Sequence, residues 1–118
     1  MFFVDNEFEP YQINRSALIV TAKQPFVDWL HTVDPTSKDV SLSDINHGPT
    51  VYLVPAFEAQ DEFMEWLEEY CATIFAAALD GWWTDTRSWP LDRGITVFQE
   101  WFECCLHSMV FDLADEPL

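Results

Sequence analysis

The stretch from Ala59 to Leu79 constrains the fold more than any other part of the chain. Phe63, Trp66, Leu67, Tyr70, Cys71, Ile74 and Ala78 fall on one side of a helical projection. Glu58, Asp61, Glu62, Glu65, Glu68 and Glu69 fall within an arc of about 120° on the opposite side. This spacing predicts an amphipathic helix about 30 Å long. Its apolar stripe has to lie on another element, so the rest of the chain must supply a second layer.

The flanking segments offer the pieces of a small sheet. Ala17-Leu-Ile-Val20 reads as a buried strand. Pro25, suited to a first helical position, opens a helix with Phe26, Trp29, Leu30 and Val33 on one face, ending near Asp34-Pro35. Residues 35–49 are rich in Ser, Thr, Asp, Asn, Gly and Pro and predict a loop, with one helical turn at Ser41–Ile45. Thr50–Val54 is a second strand, stopped by Pro55. After the long helix, Gly81 is a candidate left-handed cap. A Trp-rich connection over 82–93 leads to a helix from about Thr96 to Leu106, with Val97, Phe98, Trp101, Phe102 and Cys105 on its apolar side. Ser108–Leu113 alternates like a third strand, with Met109, Phe111 and Leu113 on one face.

The predicted order is β-α-β-α-α-β, an α/β or α+β fold with about three strands packed against aromatic-rich helices. A right-handed crossover could join the first strand to the second. At 118 residues the chain fits one domain. Residues 15–114 form its globular part, 1–14 an aromatic and acidic N-terminal arm, and 115–118 an acidic tail expected to fray.

Each predicted helix carries the same string: Phe26-Val-Asp-Trp-Leu30, Phe63-Met-Glu-Trp-Leu67 and Phe98-Gln-Glu-Trp-Phe102. Apolar residues at i, i+3 and i+4 make one patch on a helix. The strings predict three helices docking alike on a common core.

Composition narrows the function. The chain has 21 acidic against 5 basic side chains, a net charge of −16. Binding phosphates takes clustered Lys and Arg, whereas Arg15, Lys23, Lys38, Arg87 and Arg93 are scattered. Direct nucleic-acid binding and anionic membrane surfaces are therefore disfavoured. No apolar run suits a membrane span, and Met1-Phe2-Phe3-Val4-Asp5 lacks the basic start of a secretory signal. Three cysteines, two of them adjacent, suit a reducing compartment. Together these features predict a soluble cytoplasmic protein.

Three groups of residues are candidates for chemistry. The carboxylates of the long helix repel one another without a Lys or Arg among them. They are either a solvated face or a docking surface for a basic protein. Residues 82–93 place Asp85, Arg87, Asp92 and Arg93 among Trp82, Trp83 and Trp89. With His107, these could form a small-ligand or enzymatic site in which Arg and Asp meet a ligand between aromatic plates, or they could be ion pairs that pin a loop. Cys104-Cys-Leu-His107 lacks the two separated ligand pairs of structural zinc, so no metal and no cofactor is expected. Neither GxGxxG nor GxxxxGK[ST] occurs, and no Gly-rich turn accompanies a pairing of Cys104 with His107.

Several strings resemble those of a group of small acidic bacterial proteins to which no activity is assigned. They are Lys23-Gln-Pro-Phe26, Thr50-Val-Tyr-Leu-Val-Pro55, Gly81-Trp-Trp-Thr-Asp85, Trp89-Pro-Leu-Asp-Arg93 and His107-Ser-Met-Val-Phe-Asp-Leu113. The likeness runs from about Asn14 to Leu113 and implies the bacterial cytosol. It draws attention to Asp85, Trp89, Asp92, Arg93 and His107 without giving any of them a role. The expectation from the residues themselves is a non-enzymatic binding or adaptor protein that turns the acidic helix face toward a basic partner. The runner-up is the site on 82–93 with His107. A three-stranded sheet also leaves two edges through which a homodimer could form.

Overall fold

The computed structural model describes residues 11–114 and 116. The first ten residues of the predicted arm and most of the acidic tail lie outside the described residues. The chain folds as α+β, with the element order β1 (Tyr11–Gln12), β2 (Arg15–Ala22), α1 (Gln24–Val33), α2 (Leu42–Ile45), β3 (Thr50–Pro55), α3 (Gln60–Asp80), α4 (Ile95–Trp101), β4 (Phe102–His107) and β5 (Phe111–Asp112). Short 3₁₀ turns at Pro35–Ser37 and Thr86–Ser88 shape the connections.

The sheet has the order β3-β2-β4, antiparallel throughout. Its central strand alternates strictly: Ser16, Leu18, Val20 and Ala22 are buried, whereas Ala17, Ile19 and Thr21 are only half-buried. The apolar run at 17–20 is therefore a one-sided strand, with helices on one face of the sheet and the other face open. The core joins Leu18, Val20 and Ala22 to Val54, Phe102 and the inward side chains of α1, α3 and α4.

Two of the Phe-x-acid-Trp strings dock as the helical patches their spacing predicts, whereas in the third Phe98 and Trp101 lie on α4 and Phe102 opens β4. Phe26, Phe63 and Phe98 are buried, as are Leu30, Leu67 and Phe102, and each Trp is half-buried at the rim. Phe26 meets Phe102 at 5.5 Å and Phe75 meets Phe102 at 5.0 Å, both edge-to-face, which is favourable beyond the area buried. On α3 the apolar stripe holds except at Tyr70, which is 42% exposed and stacks on Trp66 at 4.8 Å. Phe75 and Leu79, both fully buried, complete it.

Four expectations are corrected. First, no right-handed crossover joins the first two long strands. The chain leaves β2 through α1 and returns to the same end, where Asn46 bonds both backbone groups of Ala22, at 2.8 and 2.9 Å. Thr50 then lies opposite Val20, and β3 runs antiparallel to β2.

Second, the helix expected to run to Leu106 stops at Trp101, and residues 102–107 form β4. A helix and a strand both bury Phe98 and Phe102, so the apolar pattern alone is ambiguous. The decision comes from across the fold. The Lys23 backbone N–H donates to the Trp101 carbonyl at 2.7 Å, and Lys23 Nζ donates to the Gln99 carbonyl at 2.8 Å, satisfying the end of α4. The free side of β2 then takes β4 as its partner. Cys105, expected on an apolar helix face, is exposed.

Third, the strand expected over 108–113 is reduced to Phe111–Asp112, and Met109, Phe111 and Leu113 are exposed. Phe111–Asp112 pairs instead with Tyr11–Gln12, inside the segment expected to be an arm without strand character. This short ribbon extends the β2–β4 ladder with the register shifted by one residue, and the molecule measures 55 × 32 × 22 Å. Fourth, Gly81 is not a left-handed cap. Its φ and ψ are −67° and −19°, and α3 closes by right-handed turns in which Gly81 N–H reaches Ala77 and the Trp82 and Trp83 N–H groups reach Leu79.

Candidate functional site

Five of the six carboxylates of the acidic face stand on α3, and Glu58 precedes its N-cap Ala59. Glu58, Asp61, Glu62, Glu65, Glu68 and Glu69 are all exposed. The residues differ in what compensates their charge. Ala59 offers no side-chain cap, and Glu62 instead reaches back to accept from the Glu58 backbone N–H at 2.7 Å. Asp61 and Glu62 sit in the first turn, where the positive end of the helix dipole favours them. Glu65, Glu68 and Glu69 lie beyond that reach. Among the described residues the single ion pair is Arg87 to Asp85, at 3.0 Å, so no Lys or Arg neutralises this face.

The 82–93 connection is built differently, since its groups bond one another. Asp85 Oδ1 accepts from the Arg87 backbone N–H and from Arg87 Nε, and Asp85 Oδ2 accepts from Arg87 Nη2, each at 3.0 Å. This fork holds the Asp85 carboxyl below the usual carboxylate range and raises the Arg87 guanidinium. Asp92 caps Gly94 N–H at 2.9 Å. The Trp89 indole N–H donates to the Trp83 carbonyl at 2.8 Å, and Trp29 of α1 donates to the Ser88 carbonyl at 2.9 Å. Arg93 lies over the Trp89 ring at 5.9 Å and donates to the Pro90 carbonyl at 2.6 Å. Two donors in the connection, Trp83 Nε1 and Arg93 Nε, are buried with no hydrogen-bond partner among the described residues.

His107 is not brought to this group. On β4, Phe102, Cys104 and Leu106 turn toward the helices, whereas Glu103, Cys105 and His107 turn to the open face. The 82–93 connection packs on α1 and α3, on the covered face of the sheet. Arg87 is exposed at the tip, and Trp89, Arg93 and Asp85 are half-buried.

Cavities also lie elsewhere among the described residues. One of about 150 Å³ lies between Ile45, Tyr52, Ala77 and Trp82, and no charged side chain lines it. Burial there raises the Tyr52 hydroxyl above its ordinary range. Another, about 300 Å³, is an open groove between Lys23, Met64, Gln99 and Cys104. Among the described residues no three His, Cys, Asp or Glu side chains converge as a metal site would require.

Two features escape the sequence reading. The open sheet face exposes Val51 (55%) and Leu53 (50%) on the edge strand β3, which the unbroken apolar run Val51–Val54 does not distinguish from a strand covered on both faces. The residue that meets His107 is Cys105, rather than Cys104. A helical reading of 96–106 hides this pairing, because it turns Cys105 inward.

The chain matches no protein-family model, no curated protein and no solved structure. No helix among the described residues is long and apolar enough to cross a membrane.

Proposed function

We propose that the protein is a non-enzymatic binding protein that presents the outer face of α3 to a basic protein in the cytoplasm. The observation that carries this reading is that Glu65, Glu68 and Glu69 stand exposed in mid-helix without an ion-pair partner among the described residues. Like charges at these spacings cost a helix a few tenths of a kcal/mol per close pair, so the arrangement does nothing for the fold. A row of Lys or Arg on a partner would turn the same repulsion into attraction. The on-rate and the salt dependence of such a complex would both follow from the charge.

The test is capture from host lysate at low and high salt with wild type and with E65K/E69K. Both substitutions are exposed and keep strong helix formers, so the fold is preserved. The reading expects one basic protein held at low salt, released at high salt and lost in the double variant. Unchanged capture by E65K/E69K would sink it.

A second reading, binding of a small anion at the 82–93 connection, is favoured by the donors Trp83 Nε1 and Arg93 Nε, unpartnered among the described residues. Asp85, Arg87, Trp89 and Asp92 would frame that site, without His107. It predicts a rise in melting temperature with sulfate or a carboxylic acid that R93Q removes. Self-association through β3 is the third outcome of these experiments: Val51 and Leu53 on a free edge would give a mass that grows with concentration.

A further inference from the structure

The three cysteines occupy three different environments. Cys71 is 1% exposed on the inner side of α3, with its Sγ 3.7 Å from the carbonyls of Glu68 and Arg93. Cys104 is turned toward the helices, and burial pushes its thiol up to about 11. Cys105 is exposed on the open face of the sheet. Strand geometry puts side chains two residues apart on one face, and here it sets Cys105 Sγ 3.3 Å from His107 Nε2. Across the ladder these two residues face Ile19 and Ala17, aliphatic side chains that leave the sulfur open to approach.

A thiol within hydrogen-bond reach of an imidazole is the arrangement that activates a nucleophile. We propose that Cys105 and His107 form a nucleophile–base dyad that takes up a small cationic disulfide by thiol–disulfide exchange. In the tautomer protonated at Nδ1, His107 Nε2 accepts the Cys105 proton. The Cys105 thiolate attacks one sulfur of the disulfide, forming a mixed disulfide as the original S–S bond breaks. The departing thiolate takes the proton back from the His107 imidazolium. Cys105 is oxidised, half of the small disulfide is reduced, and no further oxidant enters. The preference for a cation follows from the −16 net charge and from Glu103, which faces outward beside Cys105 on the same strand.

The probe is cystamine, with glutathione disulfide as its anionic counterpart, and the adducts are located by peptide mass mapping after an acid quench. One equivalent of cystamine at neutral pH is expected to modify Cys105 in the folded chain and to leave Cys71 and Cys104 free. H107Q should slow that reaction about tenfold, less than the usual effect of a positioned base because a thiol is already partly ionised. At low salt cystamine should outpace glutathione disulfide, and the gap should close near 1 M salt, where charges are screened within about 3 Å. A first adduct on Cys71 or Cys104 would overturn the assignment on wild type alone, whatever the fate of H107Q. A wild-type rate in folded H107Q would remove the base, and equal rates for the two disulfides would remove the cation preference.

Discussion

Phe75 has no exposed surface, and its ring lies 6.2 Å from Phe98, 5.2 Å from Trp101 and 5.0 Å from Phe102. It is the side chain through which the long helix and the α4–β4 segment hold each other. Truncating it leaves a cavity that three rigid rings cannot close. F75A should therefore destabilise the fold by about 3–5 kcal/mol in denaturant unfolding, and a loss under about 1 kcal/mol would contradict this packing. Cys104 contributes to the alkaline limit at the same scale, beside Cys71 and Tyr52, which burial also raises. The Cys104 thiol is raised by burial from 9.0 to about 11. Between those values the unfolded chain has released a proton that the folded chain keeps, so stability is intact below about pH 9 and falls as pH rises toward 11. C104A should flatten that slope in thermal melts, and an equal slope in both proteins would assign it elsewhere. Packing residues such as Phe26, Trp66 and Phe98 were legible in the sequence because spacing at i, i+3 and i+4 makes an apolar patch whatever it meets. The Cys105–His107 pair was not legible, because its geometry depends on whether residue 105 belongs to a helix or a strand.

Elements were legible where a local signal ends them and illegible where a distant group does. Asp34-Pro35 ends α1 from within, its Asp34 N–H closing on the Leu30 carbonyl at 2.9 Å. The end of α4 has no such local stop. It is set by Lys23, some eighty residues back in the chain, and by the vacant side of β2. The same logic explains the missed antiparallel pairing of β2 with β3. The side chain that ties the return loop to Ala22 is Asn46, one of many polar residues in that loop. At Gly81 the local rule was present but misleading, since the helix ends by right-handed turns that need no left-handed residue. A Cβ there would meet the Ala78 carbonyl at 3.5 Å, an ordinary contact. G81A should accordingly stabilise the protein by about 0.4–1 kcal/mol through its effect on the unfolded chain. A loss of similar size in urea unfolding would mean that the left-handed cap exists in solution.

At the scale of the whole molecule, charge and shape separate by face. The outer face of α3 carries the row of uncompensated carboxylates, and the open side of the sheet carries Val51, Leu53, Cys105 and His107 with the single carboxylate Glu103 of β4. With a net charge of −16 and one ion pair among the described residues, salt removes far more repulsion than attraction. Moving from about 0.01 M to 1 M salt, which shortens the screening length from about 30 Å to about 3 Å, should raise the melting temperature. The rise should be smaller in E65K/E69K, and a fall in either protein would contradict the absence of compensating pairs. Composition made the charge legible, and the projection of residues 59–79 made the face legible. What meets the face was not legible, because a row of carboxylates specifies the sign of a partner and nothing of its shape. The most direct measurement is therefore capture by wild type, by E65K/E69K and by D28K/E100K, which makes the same change in net charge at exposed positions on α1 and α4. The account predicts a basic protein bound at low salt by wild type and D28K/E100K and lost from E65K/E69K. Equal retention by all three would show that the face of α3 is solvated surface and that the binding role assigned to it is wrong.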